Sequence, residues 1–302
     1  MIRDRLSGAA GRGSVVGGWG PKELQAIRTR AKKTQPAYGA MREDPYATID
    51  SVAVYRIEED AHLIEQHVSV DGSTRMVNSL VIRSQRPTII DTCYPPLAET
   101  FLSDLRSLFD PSSVAYVGIT HADPDHTGAL VPLLELAPSA KVLTNAMGRA
   151  KLMGDFGLPA ERFQLVNPGD TVDLGDRTLA TTWVPLFDQP ETMGFFDERT
   201  RVLYSSDCFG AIISEPVAFA DEVETNEYRE GFLYWNQSNH HWVHLVDPAK
   251  FSVEVNAIRR MEPRVIVSSH GPAIRDEIER ALGWLEILPS TEPFSFPPVA
   301  ES

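Results

Sequence analysis

Four side chains able to hold a metal ion fall within six residues: His121, Asp123, Asp125 and His126, in the run THADPDHTG. In extended or turning backbone, positions i and i+2 project to one side. The next two residues can then reach a second point about one metal–metal distance away. A pair of metals held this way could activate a water molecule, polarise a carbonyl or phosphoryl group, or bind a small oxidant between them. The competing structural reading is a turn decorated with carboxylate caps, with Asp125 as the N-cap of a helix that starts near Thr127-Gly128. Two histidines flanking two carboxylates directly after an apolar strand are unusual for a mere turn, and metal is the preferred reading. Asp207, in LYSSDCFG, and His270, in VSSHGP, also follow apolar strands and precede glycine-containing turns. Each alone is an ordinary strand-end residue; together with the 121–126 run they supply the further ligands that a strand-end His121 needs.

The elements that must position these groups follow from hydrophobic patterning. VAVYRI (52–57), HLIEQHVSV (62–70), VNSLVIR (77–83) and PTIID (87–91) read as strands, and LAETFLSDLRSLFD (about 96–109) as a helix. VAYVGIT (114–120) is the apolar strand that delivers His121. A helix at 128–137, the strand KVLT, and the helix NAMGRAKLMGDF come next. Further strands are expected at 163–166, 177–185, 193–197 and 201–206, then an irregular stretch, a helix near 247–261 and the strand RVIVSS ending on His270. Strands and helices in this order, with the chemistry at successive strand ends, suit two packed sheets with helices outside.

Those blocks resemble the flavodiiron proteins, the oxygen and nitric oxide reductases built on a metallo-β-lactamase-like domain. THADPDHTGALVPLLELAPSAKV is similar to the first ligand block, and MVNSLVIRSQRPTIIDT to the strands before it. PETMGFFDERTRVLYSSDCFG resembles the block carrying a bridging aspartate, and VIVSSHGPAIR the last ligand block. The resemblance spans about residues 50–275 and implies an α/β fold of the αββα metallo-β-lactamase-like sandwich type. It implies His121, Asp123 and Asp207 at one metal, and Asp125, His126, Asp207 and His270 at the other, with Asp207 bridging. Asp123 stands where the family has glutamate, and where hydrolase relatives such as the lactonases have histidine. A carboxylate there suits iron or manganese better than zinc. At the remaining ligand position the family has a histidine before Trp-Pro; here Asp188 precedes Gln189-Pro190. Asp188 either ligates through oxygen, giving four Asp and three His, or leaves an open coordination position. Asp71 occupies the place of a pocket histidine of many relatives.

Family members continue into a flavodoxin domain that binds FMN, and the sequence stops at Ser302. The expectation is therefore two metal ions, iron first, with manganese or zinc as alternatives, and no FMN in this chain. Electrons would come from a separate flavoprotein or rubredoxin-like donor, and O2, NO or another small molecule would be the ligand. Three functions stay open: a diiron oxidoreductase or O2-binding protein; a dinuclear hydrolase of an ester, lactone, thioester or phosphoester; and a sensor or binding module with an altered site. A homodimer is implied by the resemblance alone.

Composition bounds the rest. At 302 residues, with 42% hydrophobic and 23% charged residues, the chain can bury a substantial core. The net charge of −14 argues against a nucleic-acid partner. No apolar run reaches the ~18–20 residues of a membrane span, and no secretion signal opens the sequence. Two distant cysteines, Cys93 and Cys208, give no disulfide framework, so a reducing cytoplasm is expected. Residues 1–45 form a basic, glycine-rich arm with a short helix expected after Pro21. The metallo-β-lactamase-like domain is expected over 46–290, and a Pro-rich tail over 291–302. His240, His241 and His244 read as a surface or interface cluster rather than a third metal site. His62 and His67 read as ordinary strand residues. Asp91 fits either support of a metal histidine or a plain turn, and Cys208 a small buried residue. Tyr228, Phe232, Tyr234, Trp235 and Trp242 fit core packing, a pocket lining or a dimer surface.

Overall fold

The computed structural model describes residues 47–70 and 73–295. The glycine-rich arm, its expected helix, Asp71 and the last seven residues lie outside that range. Among these residues, twelve strands form two sheets. The first runs β1 (Ala47–Glu58), β2 (Ala61–Val70), β3 (Ser73–Ile82), β4 (Thr88–Ile90), β5 (Tyr116–Gly118), β6 (Lys141–Thr144) and β7 (Phe163–Leu165), in that spatial order. Its first four strands are antiparallel, and β4 to β7 pair in parallel. The second sheet has the order β12 (Val265–Val267), β11 (Val202–Tyr204), β10 (Gly194–Asp197), β9 (Thr178–Thr182), β8 (Thr171–Asp173).

Three apolar layers explain why the sheets stack. Leu63, Leu80, Ile82 and Ile90 from the first sheet meet Leu179, Phe195, Val202 and Val265 from the second, forming an apolar layer between them. The outer face of the first sheet is covered by α1 (Ala98–Leu108), α3 (Leu130–Leu136) and α4 (Ala146–Phe156), which contribute Phe101, Leu105, Leu133 and Leu152. On the second sheet's outer face lie α5 (Thr225–Ser238), α6 (Pro248–Met261) and α7 (Ile278–Ile287), with Phe232, Val255 and Leu282. A single turn, α2 (Pro124–Thr127), carries part of the ligand run. The arrangement is the expected αββα sandwich.

Differences from the expected elements are local. Strand β5 is three residues long; Ile119 and Thr120 leave the sheet before His121. The N-cap of α2 is Asp123, not Asp125, which lies inside the first turn. The stretch expected to be irregular contains α5, and β8 and α7 are additional elements. Gly231 sits in mid-α5, where glycine is a poor helix former. It is required there because a Cβ would lie 1.8 Å from the Ile212 carbonyl oxygen. Among the described residues no helix is long and apolar enough to cross a membrane.

Candidate metal centre

The ligand candidates lie in the segments that follow strands β5, β9, β11 and β12. β5 leads to His121, and Pro124 at the first position of α2 starts the turn that brings Asp125 and His126 back over it. Gly128 locks that turn in place: a Cβ there would stand 2.4 Å from the Cys93 carbonyl oxygen, so only glycine permits the approach. β11 leads to Asp207, β12 to His270, and the loop between β9 and β10 carries Asp188. The two sheets thus contribute from facing edges to one cleft.

The seven side chains converge. His121 Nε2 lies 3.6 Å from Asp123 Oδ2 and 3.4 Å from Asp188 Oδ2. His126 Nε2 is 3.2 Å from Asp207 Oδ1 and 3.8 Å from Asp125 Oδ1. His270 Nε2 is 3.3 Å from Asp125 Oδ2 and 3.5 Å from Asp207 Oδ1. The donor atoms fall into overlapping groups: His121 with Asp123 and Asp188, Asp125 with His126 and His270, and His121 with His126 and Asp207. The last group shares His121 with the first and His126 with the second, and so joins them.

These atoms suit metal ions better than one another. His121 Nε2, His126 Nε2 and Asp207 Oδ1 are buried and have no partner in hydrogen-bond geometry, although charged atoms lie within 4 Å. Buried polar atoms are normally satisfied, so orphans that converge are a donor set. The opposite ring nitrogens are all engaged. His126 Nδ1 is 2.7 Å from Asp91 Oδ2, His121 Nδ1 is 3.1 Å from Ser206 Oγ, and His270 Nδ1 is 2.9 Å from the Met76 carbonyl oxygen. Because a carboxylate and a carbonyl only accept, His126 and His270 must carry their protons on Nδ1 and turn Nε2 lone pairs inward.

Electrostatics agree. Burial favours neutral imidazole at His126, but Asp125, Asp91 and Asp207 together outweigh it and hold its pKa well above the usual histidine value. Burial opposes ionisation of Asp207, yet His270, His126 and His121 keep its pKa well below the carboxylate range. Asp188 goes the other way: burial raises it, with His121 opposing and Asp207 adding. Carboxylates that favour a second proton on His126 favour a metal ion at its Nε2 in the same way.

Further residues are absorbed into the site that their types alone do not reveal. Asn239 Nδ2 donates to Asp207 Oδ2 at 3.0 Å, and Trp235 Nε1 donates to the Asp207 carbonyl at 2.9 Å. The Trp235 ring packs at a tilt 4.6 Å from His270, so this aromatic lines the centre, whereas Tyr228 and Phe232 belong to the core. Trp242 lies 5.0 Å from Phe187, beside Asp188, and Tyr234 is exposed. Asp91 is a support, not merely a turn. Glu191, wholly buried, accepts from Lys151 Nζ at 2.7 Å and lies 3.4 Å from the Ala122 N–H.

The histidine cluster expected at the surface divides. His241 is exposed, but His240 is 0% exposed, bonds through Nδ1 to the Asn236 carbonyl, and is pushed down to about 4, chiefly by burial. α5 ends at Ser238, so His240 and His244 do not share a helix face. His67 is buried against Glu65 at 2.6 Å, and Cys208 is buried with a thiol raised by desolvation.

Fold and cleft together define a metallo-β-lactamase-like protein with a histidine–carboxylate centre. The chain belongs to the ODP family of beta-lactamase-fold proteins, whose family model matches residues 75–271. Among its relatives is an anaerobic nitric oxide reductase flavorubredoxin of Salmonella typhi, 29% identical over 68% of this chain and 44% of that protein. The rubredoxin:oxygen oxidoreductase of Desulfovibrio gigas has the same fold, with a TM-score of 0.68 and 22% identity over 80% of this chain and 62% of that one. The flavodiiron protein of Giardia intestinalis matches with a TM-score of 0.67 and 21% identity over 84% and 60%. The chain spans less than half the length of the curated relatives it matches.

Proposed function

We propose that this domain holds two iron ions and serves as the reducing core for a diatomic oxidant, O2 or NO. The observation that carries the reading is the convergence of four carboxylates and three histidines with unpartnered inward atoms on one cleft. His121, Asp123, Asp188 and Asp207 would hold one ion, and Asp125, His126, His270 and Asp207 the other. Fully ionised, the four carboxylates match the charge of two divalent cations, and three carboxylates at the first position, Asp207 shared, favour iron or manganese over zinc. When bound, the iron pair supplies electrons and a two-point attachment for a diatomic molecule.

The protein's own part is to fix ligand orientation, keep the cleft anionic and limit water. Trp235 covers His270, while Phe187 and Trp242 flank Asp188. Reduction of O2 to two waters consumes four electrons and four protons; conversion of two NO to N2O and water consumes two of each. The electrons would come from a flavin or a rubredoxin-type iron donor, in keeping with the names of the flavorubredoxin and rubredoxin-linked relatives. We read the domain as cytoplasmic and as one half of a homodimer.

The test is consumption of O2 or NO by iron-loaded protein with an artificial low-potential donor, followed with an electrode. We expect turnover that zinc-loaded protein lacks. Inert iron protein that instead cleaves an ester panel regardless of oxygen would overturn the proposal in favour of a hydrolase.

A further inference from the structure

Behind the histidines runs a chain of hydroxyl groups whose proton directions can be counted. Asp91 Oδ2 accepts from Thr120 Oγ1 at 2.6 Å and from His126 Nδ1 at 2.7 Å, while Asp91 Oδ1 accepts the Thr120 N–H at 2.8 Å. Thr120 has one hydroxyl proton, and the carboxylate takes it. Its oxygen must then accept from Ser206 Oγ, 3.0 Å away. Ser206 has spent its own proton on Thr120, so its oxygen accepts from His121 Nδ1 at 3.1 Å, the shorter of that nitrogen's two hydroxyl contacts; Thr120 Oγ1 stands 3.4 Å from it and 3.4 Å from His126 Nδ1. His121 is thereby fixed with its proton on Nδ1 and its Nε2 lone pair turned into the cleft. All five residues are buried.

Two members of the chain are held in backbone conformations that non-glycine residues rarely adopt: Asp91 has φ 52° and Ser206 φ 55°. Such conformations persist only where surrounding structure enforces them, and they cluster at functional sites. Here they aim the Asp91 carboxylate and the Ser206 hydroxyl inward from the ends of β4 and β11, one in each sheet.

We propose that Thr120 and Ser206 form a relay through which one buried carboxylate, Asp91, orients a histidine of each metal position: His126 directly and His121 at two hydroxyls' remove. The inference rests on the two-metal reading and goes beyond it. It makes Ser206 a positioning residue for the first metal, Thr120 chiefly for the first although it also faces His126 Nδ1 at 3.4 Å, and Asp91 for both. The asymmetry follows from the chemistry. A carboxylate in direct contact raises the donor strength of His126 more than a neutral hydroxyl raises that of His121, and partners behind a ligand are worth about 10–100-fold in metal affinity.

The experiment measures ions per chain and chelator-driven release from the full chain, for wild type, Thr120→Val, Ser206→Ala, the double variant, Thr120→Ser and Asp91→Asn. Each relay variant is expected to lose one ion about 10–100-fold more readily while the other is retained. The double variant should be no worse than the weaker single, because two cuts in one chain count once. Thr120→Ser, which keeps the hydroxyl, should behave as wild type, and Asp91→Asn should weaken both ions. Relay variants that keep both ions, lose both equally, or add in the double variant would overturn the relay while leaving the two-metal site standing. Wild-type protein with no bound metal would instead overturn the reading beneath it. If Thr120→Val does not fold, Ser206→Ala alone decides, since it removes a single oxygen and leaves Thr120 and Asp91 intact.

Discussion

Asp188 is the residue on which the first metal position turns. It is half-buried, its Oδ2 stands 3.4 Å from His121 Nε2, and it belongs with Asp123 to one donor group. A carboxylate binds hard divalent ions well. It also adds a negative charge that burial and Asp207 resist, which is why its pKa is raised while that of Asp207 falls. Such a group profits more from a cation than from solvent. Asp188→Ala is therefore expected to lower bound metal from about two ions per chain to about one, and Asp188→His to keep about two, as read by elemental analysis. Full retention in the alanine variant would mean that Asp188 is only a neighbour of the site. The ligand run His121 to His126 was legible in sequence because four donors sit together after an apolar strand. Thr120, Ser206 and Asn239 were not, because a hydroxyl or an amide acquires its role only when β4, β5, β11 and α5 meet.

At the scale of elements, the loop between β9 and β10 is pinned from α4. Lys151 Nζ donates to Gln189 Oε1 at 2.7 Å and pairs with Glu191 Oε1 at 2.7 Å. Asn145, the N-cap of α4, donates to the Glu191 carbonyl at 2.9 Å. Glu191 Oε1 also faces the Ala122 N–H, so one carboxylate touches both the Asp188 loop and the His121 loop. Removing the lysine leaves a buried carboxylate without its cation, which costs more than an exposed pair would gain. Lys151→Met should speed metal release from the first position by roughly tenfold and lower the melting temperature by a few degrees, measured by stopped-flow chelation and calorimetry. Unchanged release would assign the pair to stability alone. Nothing in the types or spacing of Lys151 and Glu191 announces this clamp, since both read as solvent-facing charges. Likewise α5 was hidden by Gly231, a weak helix former kept for its approach to Ile212. The strands were legible because alternation and β-branched runs report burial directly.

For the molecule as a whole, the centre lies where two sheets present strand ends to one another. The first sheet gives Asp91 and the 121–126 run, and the second gives Asp188, Asp207 and His270. Cross-ties fix the two halves. Asn78 of β3 donates its amide to the Ser268 and Gly271 carbonyls, and Tyr204 Oη of β11 donates to the Asn78 carbonyl. The fold therefore sets the ligand spacing, and neither sheet alone holds a complete donor set. The sandwich was legible from the order of strands and helices, whereas this dependence of the site on both sheets was visible only in three dimensions. If the cleft is a two-iron site, metal content after expression in iron-supplemented cells will show it. About two iron ions per chain are expected; a single ion, or zinc alone in colourless protein, would rule out a two-iron site.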